Sequence, residues 1–358
     1  MQKADGMNYA PKGKAAPVVG PGDFPIAAVG LDHGHVYGMS NGLIESGAEI
    51  RWAYDPDPDK VKRFLDTYPQ AKAARSKQEV LDDPAIKLVV SSCVPYDRGP
   101  LGVEVMSHGK DYFVDKAPLI TLEQLAAARA KAAETGQKYF VYYGERLHSE
   151  CSIYAGNLIA EGAIGRVLQV IGLGPHRLAA ATRPAWFFER KSYGGILIDI
   201  GSHQIEQFMH FADAQDAQVV SSRVANYANK QYPELEDFGD ATLTADNGAT
   251  NYFRVDWFTP DGLGAWGDGR ATIMGTDGYI ELRKYLDIAR DSESDQLYLV
   301  NGKEEKRIST HNTVGFPFFG QLILDCVNRT ENAMTQERAF RVAELSLIAQ
   351  QQAIRIEA

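Results

Sequence analysis

The chain has 358 residues, 44% hydrophobic and 23% charged, with a formal net charge of −10. That length exceeds what one core usually serves, so two globular domains are expected, and the acidic balance argues against nucleic acid or an anionic membrane as partner. Three cysteines without a CxxC pair exclude a disulfide framework and a cysteine zinc site and fit a reducing cytoplasm, and no apolar run reaches the roughly 18–20 residues of a membrane span.

Residues 1–23 are rich in Pro, Gly, Lys and Ala and read as a flexible arm. From Phe24 the pattern changes. Pro25–Val29 is a short apolar strand ending at Gly30, and Gly34–Ser46 is helical. Glu49–Tyr54 is a strand closed by Asp55, followed by helices over Asp57–Tyr68 and Lys77–Leu81. Leu88–Ser92 is a buried strand, Gly99–His108 a helix and Tyr112–Val114 a strand. Leu122–Thr135 is a helix and Lys138–Tyr143 a strand. Continuous apolar strands alternating with helices predict a parallel sheet covered on both faces, an α/β Rossmann domain over 24–146.

Residues 147–358 read differently. Arg166–Gly174, Val219–Asn226, Ala241–Ala245, Thr250–Phe258 and Ala271–Met274 are strand-like, several with two-residue alternation and polar turns between them. Phe316–Val327 and Arg338–Ile354 are helical. The expectation is an α+β domain with a large, mostly antiparallel open sheet, one face of which is polar.

The turn Gly30-Leu31-Asp32-His33-Gly34-His35 follows the first strand. A dinucleotide turn has the form GxGxxG, with glycines for the tight turn, for approach to the pyrophosphate and for helix packing. Here only the first stands in place, and an ordinary strand–turn–helix reads equally well. Asp32 beside a pyrophosphate is unfavourable, so it either points away or caps the helix, while His33 and His35 offer donors to phosphate. Asp55 ends the second strand, where a carboxylate binds ribose hydroxyls and repels a 2′-phosphate. That favours NAD over NADP, although Asp55 also suits a turn in Asp-Pro-Asp-Pro.

Asp115-Lys116-Ala117-Pro118 follows a strand whose end faces the ligand crevice of such a sheet. A lysine there can orient a substrate hydroxyl and stabilise its developing charge; the alternative is a solvated side chain. In Gly194–His203 two glycines precede a helix that begins near Asp199, which puts Asp199 and His203 at i and i+4 on one face. A carboxylate beside an imidazole suits a general base; the alternative is an N-capping Asp199 with His203 packed in the core. The stripe Asp199, His203, Glu206, His210 could instead hold a metal, but four ligands from one straight helix cannot surround an ion, so no metal is expected.

These motifs, in this order from about Phe24 to Ala358, resemble the Gfo/Idh/MocA family of glucose–fructose oxidoreductase and inositol 2-dehydrogenase. The resemblance implies a two-domain NAD-dependent oxidoreductase acting on a secondary hydroxyl of a sugar, polyol or glycoside. It makes Lys116, Asp199 and His203 the catalytic residues. Cys93-Val94-Pro95-Tyr96 then lies along the cofactor ribose, Asp115 stands in the family's Glu-Lys-Pro turn, and Arg146 lies near the substrate. His176, Arg177, Trp186 and Tyr193 are further substrate candidates. The departures are Asp115 for glutamate, Pro118 one residue late, Arg98 and Gly99 where a histidine is usual, and Asp32 for the second glycine. The resemblance implies a homodimer or homotetramer through the C-terminal sheet. Two other readings stay open: a redox-neutral enzyme that retains NAD and acts by oxidation, elimination and re-reduction, and a dinucleotide-binding sensor without turnover.

Overall fold

The computed structural model describes residues 6–7, 9–13 and 16–357. The elements in chain order begin β1 (Pro25–Val29), α1 (His35–Glu45), β2 (Glu49–Tyr54), α2 (Pro58–Thr67), β3 (Lys72–Ala73), α3 (Lys77–Asp82), β4 (Leu88–Ser91), α4 (Pro95–Ser107), β5 (Asp111–Asp115), α5 (Leu122–Thr135) and β6 (Tyr139–Tyr142). All six strands pair in parallel in the order β3-β2-β1-β4-β5-β6. Every residue of β1, β4, β5 and β6 is buried, as strands covered on both faces must be. The order reverses between β1 and β4, so ligands bind beyond the carboxyl ends of these two strands.

The chain continues through α6 (Gly144–Leu147), α7 (Glu150–Ala160), β7 (Val167–Pro175), α8 (Arg190–Tyr193), α9 (Ile196–Asp199) and α10 (Gly201–Phe211). Then come β8 (Ala217–Ala225), β9 (Phe238–Ala245), β10 (Thr250–Asp256), β11 (Arg270–Gly275), β12 (Gly278–Arg283), β13 (Gln296–Asn301) and β14 (Glu305–Ser309). Last are α11 (Pro317–Asn328), α12 (Gln336–Gln352) and β15 (Ile354–Ile356). A nine-stranded sheet runs β14-β13-β12-β11-β7-β10-β9-β8-β15. Its pairings are antiparallel except β10 with β7 and β15 with β8. α10 packs on β7, β9 and β10, and α7 on β12 and β13. Along β11 the burial alternates, so Ala271 and Ile273 face the core while Thr272 and Met274 face out.

The chain divides into two compact units, and the division is not at a single point. Gly315–Phe340 group with the parallel sheet rather than with the rest of 147–358. α11 explains this. Its Phe319 ring lies where a side chain on Gly42 of α1 would have to be, and Phe318 packs 5.9 Å from Phe113 of β5. In the arm, Gly13 N–H donates to Glu45 Oε2 at 2.9 Å and Val18 N–H to Ser46 O at 2.9 Å. These stretches are held on α1, contrary to the expectation of a loose arm; residues 1–5, 8, 14–15 and 358 lie outside the described residues. α4 begins at Pro95, four residues earlier than its apolar pattern predicts, because proline at the first helical position is preset for the turn. β13, β14 and β15 are strands beyond those read from the sequence.

Candidate active site

In the parallel-sheet unit the turn after β1 is stitched between its neighbours. Gly30 N–H donates to Tyr54 O, Ser92 N–H to Gly30 O and His33 N–H to Ser92 O. Gly30 has φ +77°, and a Cβ there would lie 2.5 Å from Cys93 Cβ. Only glycine fits, as the tight turn of a dinucleotide site requires. At the start of α1 the cap residue Gly34 has no side chain to satisfy helical N–H groups, while His33 Nδ1 accepts from His35 N–H at 3.3 Å.

The two acidic residues of this region divide their work. Asp55 Oδ2 accepts from Leu31 N–H at 2.7 Å and Oδ1 from Asp57 N–H at 2.9 Å, so its carboxylate pins the turn. A carboxylate has further lone pairs for ribose hydroxyls. Asp32 is paired with Lys60 Nζ of α2 at 2.6 Å, and Lys60 also lies 3.6 Å from Asp55. Burial alone would lower the Lys60 ammonium, but the Asp32 bond and the charges of Asp32, Asp55 and Asp57 outweigh it and raise it. The unfavourable charge of Asp32 is thereby neutralised.

Beneath the turn, Asp115 at the end of β5 meets His35 Nδ1 at 2.9 Å, His33 Nδ1 at 3.3 Å and Arg98 Nη2 at 3.2 Å. Burial would raise the Asp115 carboxyl, but His35, Arg98 and His33 together hold it far below the usual range. His33 is pushed down by burial and by His35 more than Asp115 can lift it. Three ligand-type atoms of His33, His35 and Asp115 lie within 4.8 Å of one another, a spacing a cation can use. Here the carboxylate is already paired with a guanidinium, and we read the cluster as the support of the Asp115–Lys116 turn. Arg98 completes it. Its Nε donates to Cys93 O at 2.7 Å, and Nη1 donates to Lys116 O and, at 3.2 Å, to Ala117 O. Lys116 is buried, and its peptide bond to Ala117 is cis. Cys93 is buried, with its thiol pushed up to about 12 by burial, while Pro95 and Tyr96 form the first turn of α4 rather than a loop.

In the other unit, Asp199 and His203 are both buried but do not share one continuous helix. α9 ends at Asp199 and α10 starts at Gly201, because His203 N–H bonds three residues back, to Ile200 O at 3.1 Å, instead of four. The freed Asp199 carbonyl takes the Ser202 hydroxyl at 3.2 Å. The His203 ring stands edge-on to Tyr143 at 6.3 Å.

The substrate candidates separate. Arg146 commits Nε and Nη2 to Glu206, at 2.5–2.9 Å, and both are buried. This pair accounts for Glu206 on the inner stripe of α10. Arg177 donates Nη2 to Pro260 O and Leu263 O, each at 2.9 Å, and so secures that loop. Tyr193 is buried, donates to Glu234 O and accepts from Glu236 N–H; burial pushes its hydroxyl well up. These contacts hold the three within this unit. Trp186 is half-buried beside Phe187. His176 lies among Trp257 and Trp266, at 5.5 and 4.5 Å between ring centroids, with Nε2 4.0 Å from Glu145 Oε1.

Glu145 is the residue that motif reading misses. Its Oε2 accepts from Lys284 Nζ at 2.7 Å and Gln204 Nε2 at 2.8 Å. Burial would raise this carboxyl, but Lys284, His203 and His176 outweigh it and bring it to about 2. No sequence signal marks it: Glu145 and Lys284 are distant in the chain, and only α6 and the end of β12 bring them together.

Comparison with known proteins matches these two halves separately. The family described as "Oxidoreductase family, NAD-binding Rossmann fold" matches residues 18–143, and the "GFO/IDH/MocA C-terminal domain" matches 153–281. The chain is 28% identical over 262 residues to scyllo-inositol 2-dehydrogenase (NAD(+)) of Bacillus subtilis (strain 168), covering 71% of this chain and 72% of that one. It is 22% identical over 149 residues to D-xylose dehydrogenase of Paenarthrobacter nicotinovorans, covering 40% and 38%. Among solved structures, a candidate oxidoreductase from Erwinia carotovora atroseptica SCRI1043 superposes with a TM-score of 0.91 at 48% identity, over 93% of this chain and all of that one.

Proposed function

The chain belongs to the Gfo/Idh/MocA family of NAD-binding oxidoreductases, and on that premise we propose that it is an NAD-dependent dehydrogenase of a secondary hydroxyl on a sugar, polyol or glycoside. NAD, when bound, supplies the acceptor for the carbinol hydride. The residues that would hold it fit: the cradle at Gly30, the uncapped start of α1 and Asp55, with Lys60 cancelling the charge of Asp32. His203 takes the hydroxyl proton as the C–H bond is lost and the carbinol becomes a ketone. We assign Lys116 to donate to a substrate oxygen and favour its anionic character, and Asp199 to orient the substrate and tune His203.

What carries this reading is the Asp115–Lys116 turn at the end of β5, anchored by Arg98 and two histidines in an NAD-binding sheet. The names of the inositol and xylose dehydrogenases support a polyhydroxylated substrate. We place the enzyme in the cytoplasm, where its three free, buried cysteines stay reduced. We also assign it a homodimer or homotetramer through the outer face of the nine-stranded sheet. Among the described residues no helix is long and apolar enough to cross a membrane.

The test is a panel of neutral sugars and polyols with NAD and with NADP, read by nicotinamide absorbance, alongside cofactor release from the denatured protein. NADH formation with at least one neutral polyol is expected. A wholly negative panel from protein that carries NAD overturns the reading in favour of redox-neutral turnover or a sensor.

A further inference from the structure

One carboxylate in the open-sheet unit is half used. Glu145 Oε2 accepts from Lys284, Gln204 and, at 3.4 Å, Gln207, while Oε1 of the same group is buried and has no hydrogen-bond partner among the described residues. The Trp257 indole N–H and the Thr259 hydroxyl are likewise buried without a partner. The three residues adjoin His176. Glu145 Oε1 lies 4.0 Å from its Nε2, Trp257 is edge-on to its ring at 5.5 Å, and Thr259 N–H donates to its carbonyl at 3.1 Å. Buried polar atoms are almost always satisfied, and an unpaired one is costly, more so when charged. Three such atoms in residues adjoining one histidine mark a place where a polar partner belongs.

The chemistry of the three atoms selects that partner. Glu145 is ionised at neutral pH, so Oε1 only accepts. Trp257 only donates. The Lys284 ammonium does not offset a second negative charge, because it is already committed to Glu145 Oε2 and, at 2.9 Å, to Gln207 Oε1. A hydroxyl both donates and accepts, so one such group can serve both atoms. A carboxylate or phosphate would meet Glu145 as a like charge in a buried setting.

Resting on the dehydrogenase reading above, we propose that Glu145 and Trp257 form a specificity subsite that binds hydroxyls of an uncharged polyol or sugar and excludes sugar acids and sugar phosphates. Calorimetric titration of the full-length protein in the presence of NAD, with scyllo-inositol, D-xylose and D-glucuronate as probes, tests it. At least one neutral probe should bind at least tenfold more tightly than D-glucuronate. Glu145→Gln should weaken that neutral probe at least tenfold and narrow the gap to D-glucuronate. Because Glu145→Gln strands Lys284, the pair Glu145→Gln/Lys284→Met and the single Trp257→Phe are measured as well; Trp257→Phe should weaken the neutral probe severalfold. The inference is overturned if D-glucuronate binds as tightly as the neutral probes, if none of the neutral probes binds, or if correctly melting variants keep wild-type affinity. Binding without NADH formation would sink the dehydrogenase reading alone. NADH formation with KM unchanged in all three variants would sink this inference alone.

Discussion

Arg98 Nη2 lies 3.2 Å from Asp115 Oδ2 with both side chains buried, and the same guanidinium donates to the carbonyls of Lys116 and Ala117. One residue of α4 therefore neutralises the acidic residue at the end of β5 and fixes the backbone that carries Lys116. The Glu-Lys-Pro turn of the family has become Asp-Lys-Ala here, and the usual histidine after the ribose loop is absent. In this chain Arg98 supports the turn by its bonds to Asp115, Lys116 and Ala117.

Arg98→Ala should accordingly destabilise the protein by about 3–5 kcal/mol, the range for removing one partner of a buried ion pair. Urea midpoints at neutral pH measure this. Arg98→Lys should recover only part, because an ammonium lacks the fork that spans Asp115 and two carbonyls. A loss under about 1 kcal/mol for Arg98→Ala would mean that His33 and His35 carry Asp115 unaided.

His203→Asn should lower kcat by about 10²–10⁴-fold, the usual worth of a positioned base, while NAD affinity stays within a factor of two or so. Lys116→Met should lose a comparable factor. Steady-state kinetics together with NAD fluorescence titration separates chemistry from cofactor binding. Full activity in His203→Asn would remove it from the role of base.

Asp55→Ala removes the carboxylate that receives Leu31 N–H and would repel a 2′-phosphate. NAD affinity should fall and the preference for NAD over NADP should shrink by about tenfold, or ~1.4 kcal/mol. Lys60, released from Asp55, should add to the shift, so Asp55→Ala/Lys60→Ala should shift less toward NADP than Asp55→Ala alone. The ratio of the two dissociation constants decides it.

Much of this architecture is legible in the sequence, for identifiable reasons. β1, β4 and β5 are short apolar runs between helical patterns, and buried parallel strands have that form whatever their neighbours. Gly30, Asp55, Lys116, Asp199 and His203 stand out because their chemistry is specified locally, by a turn, a strand end or a helix start. What escapes is long-range. The Glu145–Lys284 pair joins positions that no local pattern links. Arg177, Tyr193 and Arg146 look like substrate contacts in the chain, and no local pattern shows that Nη2 of Arg177, the Tyr193 hydroxyl and Nε and Nη2 of Arg146 bind Pro260, Glu234 and Glu206. β14 has too little alternation to be read, since Glu305–Ser309 is largely exposed. The return of Gly315–Phe340 to the parallel sheet is set by Phe318 and Phe319, two aromatic residues whose destination only packing decides.

The outer face of the nine-stranded sheet carries Ile171, Met274 and Tyr279, which are 37–44% exposed. Apolar side chains on adjacent strands β7, β11 and β12 form the kind of patch that an oligomer buries. Light scattering on the purified protein should give a dimer or tetramer, and Ile171→Lys/Met274→Lys should shift it to monomer. A wild-type monomer at micromolar concentration would dispose of this interface.

The buried acids set the acid limit of stability, and the sign follows from their direction. Glu145 falls to about 2 in the folded chain and Asp115 lies lower still, whereas the unfolded values are about 4.3 and 3.9. Between these limits the unfolded chain binds more protons. Their contribution is therefore complete above about pH 5 and is lost progressively as the pH falls toward 2. His33 acts in a different window. Its folded value is depressed, so protonation of the unfolded chain already lowers stability below about pH 6.5, partly opposed by Asp115. Chemical denaturation from pH 7.5 to 3 should thus show two slopes. His33→Gln should flatten the upper one and Glu145→Gln the lower one. If Glu145→Gln leaves the slope between pH 4.5 and 3 unchanged, Glu145 is not the carboxylate that the Lys284 pair depresses.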